Sequence, residues 1–278
     1  MLADLWLETS DADALSRAIA AITRYLEMTP RGLEQKSAWE KLAEIQRGQD
    51  NWKEFITAQV HIAELPGADM PIISAVVNTF NSVSRHLDSE QRSRFALRLA
   101  NVMELKTADA DATDYSRLAW LLNSAGQTDR ALEIIDRGLQ LDPNNEYCRN
   151  FKRSTLEKVA ALAKQNDDWP RYLSAIVALA ETPGMEFSEI SGIANTFNQF
   201  RNYLDSNPEL IHKLALRLAN VMEIGIHKGN ATDCSRLAWI LLHAGETERA
   251  RRIIDRGLRL DPKNEYCLRL KTKFVEGH

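Results

Sequence analysis

Nothing in this sequence concentrates chemistry. Its 278 residues include only three cysteines and six histidines. His61, His86, His212, His227, His243 and His278 show no metal-ligand spacing with one another or with a cysteine pair, and there is no CxxC. A glycine-rich phosphate loop and a nucleophile elbow are also missing. Asp114, Ser116 and Arg117 stand close together, but they read as lying on different faces of one helix and include no base. Catalysis is therefore not expected, and no cofactor or metal is implied. No apolar run approaches the roughly 18 residues of a membrane span, and Leu173 to Ala180 is among the longest. The opening MLADLWLETSDADA has early aspartates and no basic n-region, so it does not read as a secretory signal. A net charge of -4 calls for neither nucleic acid nor an anionic membrane. These absences point to a soluble, cytoplasmic protein.

The cysteines fit that expectation. Cys148 and Cys267 occupy equivalent places in a repeat, where they would be far apart, and Cys234 stands alone, so three buried reduced thiols are expected rather than a disulfide.

What the sequence does have is a stretch written twice. Residues 112–148 (ATDYSRLAWLLNSAGQTDRALEIIDRGLQLDPNNEYC) and 231–267 (ATDCSRLAWILLHAGETERARRIIDRGLRLDPKNEYC) agree at 27 of 37 positions without a gap. Leu118, Ala119 and Leu122 share one face of a first helix, and Gly126 breaks it. Thr128 is placed to cap a second helix that carries Ala131, Ile135, Gly138 and Leu139 inward. Small residues at Ala119, Ala131 and Gly138 allow two backbones to approach closely. The order Tyr115, Leu118, Ala119, Leu122, Gly126, Ala131, Ile135, Gly138 and Pro143 resembles the tetratricopeptide repeat, a helical hairpin. The second copy matches through Leu237, Ala238, Leu241, Gly245, Ala250, Ile254, Gly257 and Pro262, and departs at Cys234, where the family prefers a large aromatic.

This resemblance implies an all-α fold, a right-handed α-solenoid of antiparallel helical hairpins with about fifteen helices. It also implies that the first helix of each hairpin lines a concave groove. Carried over, the groove positions are Thr113, Ser116, Trp120, Asn123 and Ser124, then Thr232, Ser235, Trp239, Leu242 and His243. Trp120 and Trp239 lead this set, because an exposed indole offers large apolar area with one donor. The competing expectation is that each packs against a neighbouring hairpin. The lysine and asparagine clamp with which some family members hold a C-terminal carboxylate is not matched here.

A longer period surrounds the strong match. SAWEKLAEIQRGQDNWKEF from Ser37 returns as STLEKVAALAKQNDDWPRY from Ser154, an offset of 117, with Trp52 and Trp169 each opening a helix after residues able to cap it. ALRLANVME then recurs from Ala96 and from Ala215 at an offset of 119. Three parts follow: residues 1–36 as a partial repeat, with a short helix over Leu2–Glu8 and Ala18, Ile22 and Pro30 in repeat positions; 37–153 as a first three-hairpin unit; and 154–278 as a second with a C-terminal capping helix. Loops are expected at Lys106 to Ala112 and at Gly225 to Asn230. Asn78 and Asn81, with Asn195 and Asn198, share a helix face and form a possible secondary peptide contact. Asp136-Arg137 and Asp255-Arg256, with Glu146 and Glu265, read as ion pairs between hairpins.

The leading functional expectation is a non-catalytic scaffold that binds a protein or peptide segment, as an adaptor or regulatory domain. Two alternatives stand beside it: a sensor or autoinhibitory domain of a larger multidomain enzyme, and nucleic-acid binding through the basic last hairpin at Arg251, Arg252 and Arg256.

Overall fold

The repeat in the sequence is a repeat of helix boundaries. The computed structural model describes residues 12–28 and 33–275; the helix expected over Leu2–Glu8 and the match at Pro30 lie outside the described residues. Among the described residues there are fourteen α-helices and no strand. They fall into two compact units, Met1–Cys148 and Arg149–His278.

The first unit holds α1 (Ala12–Glu27), α2 (Leu33–Gly48), α3 (Trp52–Glu64), α4 (Met70–Val83), α5 (Ser89–Glu104), α6 (Ala112–Ser124) and α7 (Thr128–Leu141). Helix α8 (Glu146–Gln165) begins before the dividing point, and the second unit continues with α9 (Trp169–Ala180), α10 (Phe187–Phe200), α11 (Pro208–Gly225), α12 (Ala231–His243), α13 (Thr247–Leu260) and α14 (Glu265–Val275). The start of α3 returns in α9 and all of α4 in α10 at the 117 offset; α6 and α7 return in α12 and α13 at 119. From α1 to α7 and from α9 to α14 each helix packs on the next, and α3 on α5, α4 on α6, α9 on α11, α10 on α12 and α12 on α14 also meet. This neighbour-only packing defines an α-solenoid of helical hairpins.

The apolar face of each helix supplies the contacts. Ala18 and Ile22 of α1 are buried with Ala38 and Ile45 of α2, as the match of residues 18–30 to a second repeat helix requires. Ala119 and Ala131 are fully buried, and a Cβ on Gly138 would lie 2.9 Å from the Tyr115 Cβ, so α6 and α7 meet almost backbone to backbone. Gly126 and Gly245, at φ +78 and +68, turn the chain between the helices of the third hairpins, where a Cβ would be strained. Asp50 and Asp167 take the same left-handed region before the two tryptophan-led helices.

Several local expectations are corrected. Thr128 is the first residue of α7 and not its cap; its hydroxyl donates to the Asn123 side chain at 3.0 Å. Asp168 caps α9 by accepting from the Arg171 N–H at 3.1 Å, whereas Asn51 spends its amide on Gln46 and makes no such bond. The two expected loops contain 3₁₀ turns, Thr107–Asp109 and Ile226–Lys228. In the second unit this turn closes on Phe187: a Cβ on Gly225 would come within 2.5 Å of that ring and one on Gly229 within 2.9 Å. The first unit has Met70, Lys106 and Ala110 at these places. The difference between the copies is thus one ring exchanged together with two glycines.

Of the charged residues expected to join hairpins, Asp255 pairs with Lys271 of α14 at 3.9 Å. Glu265 pairs with Arg269 of its own helix at 3.6 Å, and Arg256 donates to the Ile226 carbonyl at 3.4 Å. Glu64 with Arg98 recurs as Glu181 with Arg217, both bidentate, and Glu104 with Arg130 recurs as Glu223 with Arg249. Each single pair contributes little; their recurrence fixes the same helix spacing twice.

Candidate binding face

The first helices of the third hairpins, α6 and α12, carry the expected groove positions. Both begin in a capping box. Asp111 accepts from the Asp114 N–H at 2.8 Å and its own N–H donates to Asp114 at 3.3 Å; Asn230 and Asp233 repeat this at 3.0 Å each way. The box normally ends in Glu or Gln. Asp in its place leaves the carboxylate close to the helix, where its other contacts are made.

Asp114 is buried, accepting from the Ser74 hydroxyl of α4 at 2.7 Å and from Arg117 at 2.8 Å, while Arg117 also donates to the Asn78 side-chain Oδ1 at 3.1 Å. In the second unit Asp233 accepts from Ser191 of α10 at 2.5 Å and from Arg236 at 3.0 Å, and Arg236 also donates to Ser191 at 2.9 Å. Asp114 and Arg117 therefore share a face, three residues apart, contrary to the sequence reading. A buried charge with three donors is a satisfied one, and it locks α6 to α4 and α12 to α10. The sequence signal was available: Ser74 and Ser191 fall at the 117 offset, inside helices where serine is not favoured.

Above this anchor the expected residues separate. Ser116 and Ser235 are buried, and each donates to a carbonyl one turn back, Thr113 and Thr232, at 2.7 Å. They are withdrawn from the binding set, because their hydroxyls face the helix backbone. Thr113 and Thr232 are half-buried and accept from Asn145 and Asn264. Asn123 is held by Thr128. Trp120, Ser124, Trp239, Leu242 and His243 are half-buried as well. Trp120 rests edge-to-face on Phe80 of α4 (5.6 Å, 63°), and Trp239 stacks on His243 (5.7 Å, 12°). Trp120 thus packs against a neighbouring hairpin and still leaves part of its ring in solvent.

The asparagines also divide. Asn78 and Asn81 are exposed, and Asn78 accepts from Arg117. Asn195 and Asn198 are half-buried, and Asn198 donates to the Arg236 carbonyl at 3.2 Å, joining α10 to α12.

A second set of aromatic residues escaped sequence reasoning. Trp169 stacks on Tyr203 (4.2 Å) and Phe200 (5.2 Å), Tyr172 meets both Trp169 and Phe200 edge-on, and the Lys164 ammonium lies over the Tyr172 and Phe200 rings. Burial pushes the Tyr172 hydroxyl above its usual pKa. In the first unit Trp52 stacks on His86 at 4.7 Å. The pairing of His86 with Tyr203 at the 117 offset was the available clue.

Some of the cations of the basic last hairpin have partners nearby. Arg249 binds Glu223 and Asn220, Arg251 lies 3.9 Å from Glu248, and Lys271 lies 3.9 Å from Asp255. Among the described residues no group of three or more His, Cys, Asp or Glu could hold a metal, and no helix is long and apolar enough to cross a membrane.

The described residues form an all-α helical-repeat fold, and its duplicated third hairpin resembles the tetratricopeptide repeat. No family model and no curated protein matches the sequence. Among solved structures it is similar to a tetratricopeptide repeat protein from Parabacteroides merdae (13% identity, 97% of this chain and 95% of that one, TM-score 0.33). It is also similar to the TPR domain of P58(IPK) (12%, 92% and 72%, 0.31). A third is the C-terminal part of a TPR repeat-containing protein from Cytophaga hutchinsonii (13%, 81% and 96%, 0.29).

Proposed function

We propose that this chain is a non-catalytic scaffold that binds a protein or peptide segment through the first helices of its third hairpins, as an adaptor or a regulatory domain. One observation carries the reading: a half-buried indole recurs at the same place in both units, Trp120 on α6 and Trp239 on α12. Each stands on a helix already fixed by a buried carboxylate, so little side-chain or backbone order has to be created on binding. Rigid, partly exposed tryptophan is the residue type that anchors interfaces. The binding set is Trp120 with Ser124 in one unit and Trp239, Leu242 and His243 in the other, with Asn78 and Asn81 flanking the first.

The reading is tested by capturing partners from extracts of the source organism with the wild-type chain and with the Trp120→Ala/Trp239→Ala variant as paired baits. Proteins retained by the first and lost by the second are the predicted partners. Identical capture profiles from two folded baits would overturn the assignment.

A further inference from the structure

Cys234 is the place where the second copy of the hairpin departs from the first, and its surroundings give that departure a chemistry. A Cβ built on Gly257 of α13 would lie 2.6 Å from the Cys267 sulfur and 3.0 Å from the Cys234 Cβ. The Cys267 sulfur and the Cys234 Cβ therefore both border the hollow beside one glycine. Both cysteines are fully buried, and the Cys267 thiol points at the Ala231 carbonyl, 3.3 Å away in the first turn of the helix that carries Cys234. The first unit has the same scaffold with Tyr115 in place of Cys234, packed with Cys148 around Gly138. There the glycine packs against a tyrosine and a cysteine; in the second unit the hollow beside it is bordered by two cysteine side chains.

We propose that Cys234 and Cys267 are a modification site: a peroxide-class oxidant joins them in a reversible disulfide that fastens α14 to α12. The Cys234 thiolate attacks one peroxide oxygen, the O–O bond breaks, and a sulfenic acid forms as the other oxygen leaves as water after taking up a proton. Cys267 then attacks that sulfur, the S–O bond breaks, the S–S bond forms and a second water leaves. Two thiols are oxidised and one peroxide is reduced. Cys234 goes first because Arg256 lies against it. The guanidinium charge offsets part of the burial that pushes this thiol up, and the Arg256 Nε–H is buried without an acceptor, which a thiolate would supply. Cys267, pushed up to about 11 mainly by burial, stays protonated until it attacks. Access comes from transient opening of α14, since Cys267 lies in its first turn.

The experiment treats the full chain with hydrogen peroxide under native conditions, alkylates it in denaturant and maps its peptides with and without reductant. Expected are a mass loss of two hydrogens, a linked peptide pair containing Cys234 and Cys267 that reductant releases, and an alkylated Cys148. Cys234→Tyr, which installs the residue that the first unit has at this place, is expected to keep the helical circular dichroism and to abolish the link. The oxidised wild type should unfold at a higher temperature than the reduced one. The proposal is overturned if the chain accumulates sulfinic acid with no 234–267 peptide, if Cys148 is the cross-linked residue, or if Cys234→Tyr shows the same mass loss.

Discussion

Three glycines in helix interiors should respond to alanine in opposite directions. Gly192 of α10 is exposed and a Cβ there would meet nothing within 4 Å, so Gly192→Ala gains only the helix preference of alanine, about 0.5–1 kcal/mol. Gly257 gains the same preference, yet its new Cβ falls 2.6 Å from the Cys267 sulfur and 3.0 Å from the Cys234 Cβ, both fully buried side chains. Overpacking of this kind costs about 1–3 kcal/mol, and the closeness of the contact places Gly257 toward the upper end. The net expectation is a loss of about 1–2 kcal/mol for Gly257→Ala, and a smaller loss for Gly138→Ala, whose new Cβ would meet Cys148 and Tyr115 at 2.9 Å. In a Cys267→Ala background the cost of alanine at 257 should shrink, because the nearest atom has gone. Urea unfolding followed by far-ultraviolet circular dichroism measures all of these, read as shifts in midpoint at unchanged slope. The reasoning fails if Gly257→Ala is as stabilising as Gly192→Ala.

The duplicated carboxylates make a second expectation. Asp233→Ala leaves Ser191, Arg236 and the Asn230 N–H without their shared acceptor and should cost about 2 kcal/mol, with Asp114→Ala moving the same way. A change within about 0.5 kcal/mol of wild type in denaturant melts would show that the cluster does not hold these helices. A third concerns pH. His61 stacks on Trp39 at 4.3 Å, and burial, opposed by Glu64 and aided by Arg98, lowers its pKa below the usual 6.5. The unfolded chain then binds the proton more readily, so the contribution of this residue is fully present above pH 6.5 and is lost as pH falls through the folded value. Melting temperatures of wild type and His61→Gln should keep a constant difference at neutral pH and move against wild type in acid. A difference that stays flat down to pH 5 would contradict the shift.

The parts of this molecule legible in the sequence are those set by periodicity. The duplicated hairpin, the 117 and 119 offsets and the place of Ala18 and Ile22 follow from apolar and small residues recurring at helical spacing. The polar contacts are legible only as repeated serines at the 117 offset, without their partners, because a side-chain hydrogen bond depends on which residue of another helix faces it. Ser74 meeting Asp114 spans 40 residues, and no local pattern announces it. For the same reason Ser116 and Ser235 were assigned to the groove by a family position, while the structure turns their hydroxyls onto their own helices. Cys234 has no counterpart in the first copy, and only hairpin closure around Gly257 brings its Cβ and the Cys267 sulfur to one hollow. The tryptophans were found for a reason that holds in both views, since a large aromatic kept twice at one helix position must either fill a gap or face a partner, and Trp120 does part of each.

The central claim is that Trp120 and Trp239 carry recognition. The direct measurement is the dissociation constant of a captured partner for the wild-type chain and for Trp120→Ala/Trp239→Ala, by titration calorimetry, with circular dichroism confirming that both are folded. An anchoring indole contributes about 2 kcal/mol or more, so the predicted result is at least a roughly 30-fold weakening. An unchanged dissociation constant in a folded double variant would contradict the account.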